Sequence, residues 1–392
     1  MKKVNVGIIG SGLMCKLHSQ SYALMPLMFA PSEYIPVKKI LCDVTEELAS
    51  AGARSYLWEE SVVGIEKLLE REDIDLIDIV APNRFHKEIA IAAARMGKNI
   101  YCEKPLGINA AECLEMCREA EKAGVKTAVA FNKRRWPAVV YAKQLIDSGA
   151  IGDILYFRGT YQQSDSLNPE LPYSWRYDEK RAGYGVVTDI GSHVIDLCRY
   201  LVGDFDEVIG MRKVHITERP MMKDQNAAYQ REANIADRVK EMARVTTDDT
   251  AVFMGKMKNG AMSLFDVSRC ASGQGDGTGF EVWGRKGAIR WNMQYQSELQ
   301  VSKEANPEDQ RGFTTIQMGT PHPYGDALWC VPGFGTGLAD NKALEIHDVI
   351  ESFEKDLEFH SNFRDGWKVC QVVDAVVESQ KVNGWVKIDD VQ

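Results

Sequence analysis

Between Lys2 and Asn132, short apolar runs alternate with helix-length amphipathic stretches, and this alternation limits the possible folds more than any other feature. The runs are "VNVGIIG", "VKKILCD", "IDLIDIVAP", "KNIYCEKP" and "KTAVAFN". Between them come a helix-like stretch from about Leu13 to Leu24, a short helix over Glu46–Gly52, "HKEIAIAAARMG" and "NAAECLEMCREAEKAG". Strands separated by helices pair through crossovers, which predicts a parallel sheet with right-handed connections. Runs apolar on both faces predict a sheet covered by helices on both sides. The expected first domain is therefore a doubly wound α/β unit over residues 1–132.

After the helix "PAVVYAKQLIDSG" the period changes. "GDILYFRGTYQQ", "DEVIGMRKVHIT", "TAVFMGKM", "GAMSLFDVSR", "GFEVWGRKGAIRWNM" and "SELQVSK" alternate and are rich in aromatic and β-branched residues. Turn signals such as Lys258-Asn259-Gly260 separate them. Residues 133–392 thus read as an α+β domain with an open, mostly antiparallel sheet. A helix over 186–202 and a late helix over about 342–355 are expected to cover one sheet face. The charged segment from Thr217 to Asp249 reads as an insertion or subunit-contact arm.

At 392 residues the chain is too long for one core, which agrees with two domains. A net charge of −9 argues against nucleic acid or an anionic membrane as the main partner. Nine cysteines without paired ligand spacing fit a reducing, cytoplasmic setting better than a disulfide framework. Cys113 and Cys117 read as small buried hydrophobes. No run approaches the roughly 18–20 apolar residues that span a bilayer. The seven histidines lack metal-ligand spacing, so no metal is expected.

"VGIIGSGLMCK" puts Gly10-Ser11-Gly12 directly after a strand, with Leu13 and Met14 opening a helix. Gly10 suits a tight turn. Gly12 lets backbone amides approach a diphosphate at the helix N-terminus, where unpaired N–H groups attract anions. Cys15 stands where Gly or Ala is usual. Asp43, ending the second strand, is suited to accept hydrogen bonds from both adenosine ribose hydroxyls. Its charge, with no nearby arginine, favours NAD over NADP. The Gly12–Asp43 spacing exceeds the usual roughly twenty residues, and "MPLMFAPSEYIP" reads as a loop insertion accounting for the excess.

Ligands in open α/β sheets sit beyond the carboxyl ends of the strands. Glu103, Lys104 and Pro105 end one such strand, and Pro82, Asn83 and His86 follow another. Pro82 and Asn83 are candidates to border a nicotinamide, Glu103 and Lys104 to contact the cofactor, and His86 to line the site or cap its helix. Lys104 could stabilise an alkoxide as charge develops, and the bond before Pro105 could be cis. In "VTDIGSHVIDLCRY", Asp189 and His193 are four residues apart on one helical face. Gly191 between them is expected to keep the backbone low for a ligand. A histidine with a pKa of about 6.5 suits proton acceptance, and a neighbouring carboxylate favours the resulting imidazolium. A buried His–Asp hydrogen bond satisfying two polar groups is the alternative.

Together "GIIGSG", "APNRFH", "EKPLG" and "TDIGSHVIDLCRYLVG" resemble the Gfo/Idh/MocA oxidoreductase family over essentially the whole chain. "AFNKRRWPAVVYAKQLIDSGAIGDI", "SWRYDEKRAGYG" and "FRDGWKVCQVVDAVVES" are similar to its branch of levoglucosan dehydrogenase-like sugar dehydrogenases. The resemblance implies a Rossmann domain, then a sheet domain carrying substrate and often a subunit interface, in a homodimer or homotetramer. It also implies Lys104, Asp189 and His193 as the catalytic set. The expected activity is NAD-dependent oxidation of a secondary hydroxyl on a cyclic sugar or polyol. An NAD-retaining glycosidase, a sugar–sugar oxidoreductase and a non-catalytic sensor are the alternatives on the same scaffold. Arg158, Gln162, Gln163, Arg176 beside Trp175, His322 and Trp329 are candidate sugar contacts, each equally readable as an ordinary sheet or core residue.

Overall fold

The computed structural model describes residues 1–223, 236, 238–328 and 335–391. They divide into two compact units. The first contains Met1–Arg135, Asp326–Leu328 and Thr336–Lys368; the second contains Trp136–Gly325 and the chain from Val369 onward.

In the first unit the elements run β1 (Lys2–Ile9), α1 (Leu13–Met28), β2 (Tyr34–Asp43), α2 (Glu46–Tyr56), β3 (Glu60–Val63), α3 (Ile65–Leu69), β4 (Leu76–Ile79), α4 (His86–Arg95), β5 (Asn99–Cys102), α5 (Ala110–Ala123) and β6 (Thr127–Val129). The strands form one parallel sheet in the order β3-β2-β1-β4-β5-β6. That order reverses direction between β1 and β4, and such a reversal opens a ligand crevice at the strands' carboxyl ends. Val6, Ile8, Leu41, Ile77 and Ile100 are fully buried, because helices cover both sheet faces. Thr45 caps α2 by accepting from Leu48 N–H, and Asn109 caps α5 by accepting from Glu112 N–H.

Two expectations need correction here. The residues separating Gly12 from Asp43 are mainly helix and strand, not an inserted loop. The α1 helix continues through Pro26 to Met28, and Tyr34–Pro36 already belong to β2. Burial of Tyr22 and Met25 in the core outweighs the hydrogen bond that Pro26 cannot donate. The late helix α11 (Leu338–Glu354), which follows α10 (Gly325–Leu328), does not cover the second sheet. It packs on α1, and Ile346, Val349, Ile350 and Phe353 share one apolar cluster with Val6, Ile8, Leu41 and Leu76.

The second unit opens with α6 (Pro137–Asp147) and β7 (Ile154–Gln162), then α7 (Glu179–Ala182), α8 (Val186–Asp189) and α9 (Gly191–Leu201). Strands β8 (Phe205–Lys213), β9 (Glu218–Met222), β10 (Arg238–Arg244), β11 (Thr250–Met257), β12 (Met262–Ser268), β13 (Gly279–Gly284), β14 (Gly287–Asn292), β15 (Glu298–Lys303) and β16 (Thr314–Gln317) follow. After α12 (Phe363–Val382), the short β17 (Val386–Lys387) ends the set. Among the described residues, nine strands form a sheet in the order β16-β15-β14-β13-β7-β12-β11-β8-β17. Only β7 and β12 pair in parallel. Phe157, Gly159 and Tyr161 of β7 turn inward, with Phe157 and Phe265 rings 5.7 Å apart. The charged segment after Thr217 supplies an antiparallel ribbon of β9 and β10, and its residues 224–235 and 237 lie outside the described set.

Because α11 completes the first unit's core, Ile346→Ala is expected to cost about 2–5 kcal/mol, the usual range for emptying a buried isoleucine site. Urea unfolding of the variant checks this. A loss below about 1 kcal/mol would mean α11 is not part of that core.

Candidate active site

The glycine turn leaves β1 at its carboxyl end. Gly10 has φ +107°, and a Cβ there would lie 3.1 Å from Val80 O, so glycine is required. Gly12 caps α1, and a Cβ on it would meet nothing within 4 Å. The open side of Gly12 and the helix N-terminus make a cradle that fits a diphosphate. Ser11 sits where α2 approaches, since a Cβ on Gly52 would come 2.8 Å from Ser11 Cβ. Leu13 is half-exposed and Met14 partly so. Cys15 is fully buried, and burial pushes its thiol up to about 12, so it fills space as the small third residue. Asp43 ends β2, with Oδ1 accepting from Val44 N–H at 2.7 Å. Pro82 caps a single 3₁₀ turn over Asn83–Phe85.

His86 bridges two loops. It is fully buried, its Nδ1 lying 3.0 Å from Pro105 O and its Nε2 2.8 Å from Ala81 O. Burial holds its pKa below the ordinary value. It clasps the two loops together.

The bond between Lys104 and Pro105 is cis. Lys104 is half-buried, whereas Glu103 turns into the protein and is 5% exposed. Its Oε1 lies 2.9 Å from His18 Nε2 and accepts from Lys342 Nζ at 3.0 Å. Its Oε2 accepts from Lys104 N–H at 3.1 Å. The other ring nitrogen of His18 lies 2.8 Å from Asp78 Oδ2, which also accepts from Tyr22 OH at 2.8 Å. Lys342 also donates to Glu345 Oε2 at 2.9 Å and to Tyr101 OH at 3.2 Å. Both ring nitrogens of His18 thus face carboxylates, an arrangement that only the doubly protonated imidazolium satisfies. Burial and the Lys342 charge push His18 down, but the Asp78 and Glu103 carboxylates together more than offset this and its pKa stands at about 8. Burial pushes Glu103 up, and the Lys342 ammonium and His18 reverse that, holding it well below the usual carboxylate range.

In the second unit, Asp189 ends α8 and His193 lies in the first turn of α9, with Ile190 between the two helices. His193 is 5% exposed, its ring 5.9 Å from the Tyr161 ring. Burial holds the Tyr161 phenol well above its ordinary pKa. That hydroxyl lies 3.3 Å from Asp276 Oδ2 and accepts from Gln163 Nε2 at 3.5 Å. The start of α8 is fixed by Asp248, whose Oδ1 accepts from Val187 N–H at 3.1 Å while Oδ2 accepts from Arg212 Nη1 at 2.9 Å. Burial pushes Asp248 up to about 6, against the pull of Arg212. Gly185, at φ +112°, caps α8, and a Cβ on it would come 2.5 Å from Asp248 N. Gly191 does not clear a path for a ligand. It is buried, and its missing Cβ would meet Val186 O at 3.3 Å and Val187, so it serves helix packing.

The candidate sugar contacts separate. Gln163 joins Tyr161, and Tyr161 neighbours His193. Arg158 is on the opposite face of β7 from Tyr161, exposed and 3.7 Å from Glu281. Side chains alternate along a strand, so Arg158 cannot share the Tyr161 face. Gln162 has the same parity and donates to Asp266 O at 3.2 Å. Arg176 is exposed and stacks 4.5 Å from the Trp175 ring centroid. His322 is edge-on to Tyr141 of α6 and accepts at Nδ1 from Gly319 N–H. Trp329 lies outside the described residues. Tyr161 and Asp276 were absent from the sequence-based site, although an aromatic followed by two amides at a strand end was a visible signal.

Residues 4–131 match the oxidoreductase family with an NAD-binding Rossmann fold, and residues 139–290 match the GFO/IDH/MocA C-terminal domain. The chain belongs to the GFO/IDH/MocA oxidoreductase family. Levoglucosan dehydrogenase of Pseudarthrobacter phenanthrenivorans is 39% identical over 391 residues, all of both chains. A solved levoglucosan dehydrogenase in complex with NADH and L-sorbose superposes with a TM-score of 0.93, covering 99% of each chain at 39% identity. Myo-inositol 2-dehydrogenase of Thermotoga maritima is 26% identical over 289 residues, covering 73% of this chain and 74% of the relative. This family member is therefore an oxidoreductase whose first unit is an NAD-binding Rossmann domain.

Two outcomes are expected. Gly185→Ala adds positive-φ strain and a clash, so it should cost more than about 1–3 kcal/mol in thermal or urea unfolding. A variant of wild-type stability would show that the α8 cap tolerates a side chain. For His18 the folded pKa is raised. Its contribution is complete below about 6.5, the unfolded value, and is lost as pH rises through about 8. Melting temperature should fall across that window, and His18→Gln should flatten the fall. An identical slope in the variant would count against it.

Proposed function

We propose that this protein is an NAD-dependent dehydrogenase of a secondary hydroxyl on a cyclic sugar or polyol, an anhydrosugar, glycoside or inositol. The observation that carries the reading is the His193 ring of α9 beside that of Tyr161, whose phenol also lies in the field of the Asp189 carboxylate at the end of α8, in a chain whose Rossmann unit follows β5 with a lysine-proline turn. The full-length likeness to levoglucosan dehydrogenase supports the substrate class.

Roles follow from the chemistry of each group. Gly10, Ser11, Gly12, Leu13 and Met14 would hold the diphosphate, with Asp43 on the adenosine ribose and Pro82 and Asn83 bordering the nicotinamide. When bound, NAD supplies a hydride acceptor. His193 accepts the hydroxyl proton as the carbinol carbon is oxidised. Asp189 favours the imidazolium that results and binds an adjacent hydroxyl. Lys104 stabilises the oxygen as negative charge develops on it. Gln163, Arg176, His322 and Trp329 remain the candidate sugar contacts from the sequence, now with Tyr161 and Asp276 added. Arg158 and Gln162 drop out.

Met211, Val252, Met254 and Met262 project from the outer face of β8, β11 and β12 and are 38–66% exposed. An apolar row of that size on a sheet face calls for a cover, and we assign it to a second copy of the chain, in a homodimer or homotetramer. Among the described residues no helix is long and apolar enough to cross a membrane. Eight cysteines among the described residues form no disulfide, and on that basis we propose a cytoplasmic location.

Incubation with NAD and a panel of anhydrosugars, glycosides and inositols is expected to produce NADH absorbance with at least one of them. No absorbance rise with any member would overturn the reading.

A further inference from the structure

Five ionisable side chains lie against Glu103 or one contact beyond it, nearly all of them fully buried: Asp78, His18, Tyr101, Lys342 and Glu345. Burying such a set is a poor route to stability, since the desolvation of each charge consumes most of what pairing returns. Apolar side chains of similar volume usually stabilise as well or better. The arrangement calls for another explanation.

The geometry of Glu103 supplies one. Its Oε1 is gripped by the His18 ring at 2.9 Å and the Lys342 ammonium at 3.0 Å, two charge-assisted contacts. Its Oε2 holds the backbone N–H of the next residue, Lys104, at 3.1 Å. The following residue is held too, since Pro105 O lies 3.0 Å from His86 Nδ1. Beyond it, Leu106 lies under Gly366, where a Cβ would come 2.8 Å from Leu106 Cβ. The backbone of Lys104 is thus fixed on both sides. The anchor on the N-terminal side depends on a lysine more than two hundred residues away in the chain.

We infer that Lys342 and His18 are positioning residues for Lys104, acting through the Glu103 carboxylate that holds the Lys104 N–H. This rests on the proposed role of Lys104 at the reacting oxygen. Three acids, Asp78, Glu103 and Glu345, face two cations, His18 and Lys342. The Lys104 ammonium adds a third positive charge, and its field also lowers the Glu103 pKa. Loss of Lys342 leaves Glu103 under-compensated, and its carboxylate is then drawn toward Lys104 or takes up a proton. Either way the turn shifts. A displacement of about one ångström at a reacting group costs on the order of a hundredfold in rate.

The test compares Lys342→Met, Lys342→Arg and the double variant Glu103→Gln/Lys342→Met with wild type, reading melting temperature, NADH affinity, kcat and KM for the sugar. Lys342→Met is expected to lower kcat at least about tenfold with a smaller change in KM, the sign of misplaced chemistry more than lost binding. Lys342→Arg, which keeps the charge, should recover part of kcat. The double variant removes one acid along with the cation, leaving Asp78 with His18 and Glu345 with the Tyr101 hydroxyl, so its melting temperature should return part of the way toward wild type while kcat stays low. It also answers the question if the single variant fails to fold. Recovery of kcat together with melting temperature in the double variant would show that the network serves stability alone. So would wild-type kcat in a folded Lys342→Met. Wild-type protein run alongside separates the two claims. No turnover of any sugar by wild type defeats the proposed function, whereas turnover that the variants leave unchanged defeats only this inference.

Discussion

A carboxylate stays ionised inside a protein only where donors replace the water it has lost, and both candidate segments are anchored on such a group. Glu103 has two cations on one oxygen and a backbone N–H on the other. Asp248 has one guanidinium on one oxygen and the Val187 N–H of α8 on the other. Their titration reflects the difference. Glu103 is held far below the normal range, while Asp248 is pushed up to about 6. One anchors the residue before a proline, the other the helix that ends on Asp189. In each case the buried group stands one step behind the side chain assigned to chemistry.

Much of the first unit is written in local pattern. Apolar runs spaced by amphipathic stretches dictate parallel strands with crossovers, and the Gly10 turn requires positive φ beside Val80. The placement of Asp43 and Lys104 at strand ends follows directly. The α11 helix was legible as an amphipathic helix but not as a member of this unit. A buried stripe shows that something covers it, not what does. The two candidates lie on opposite sides of a long stretch of intervening chain, and only packing of Ile346 and Val349 with Val6 and Ile8 decides between them.

The site was less legible than the fold, for reasons specific to each residue. Period-two alternation separates Arg158 and Gln162 from Tyr161, but it does not say which set faces the helices. Gly191 carries no sign of whether its missing side chain makes room for a ligand or, as found, for Val186 and Val187. His18 and Lys342 are single polar residues in apolar helices, and each reads as a surface position until the partner from a distant segment is known. Even so, there was a signal. Asp78 interrupts a fully apolar strand, and a buried acid there demands a cation somewhere.

The central claim is that His193 accepts the proton released when a sugar hydroxyl is oxidised. Its most direct test is the pH dependence of kcat/KM for wild type and His193→Asn on the best substrate of the panel. The account predicts an acid limb in wild type, a loss of at least about a hundredfold in the variant, disappearance of that limb, and unchanged NADH affinity. A variant that keeps the wild-type rate and the wild-type acid limb would contradict it.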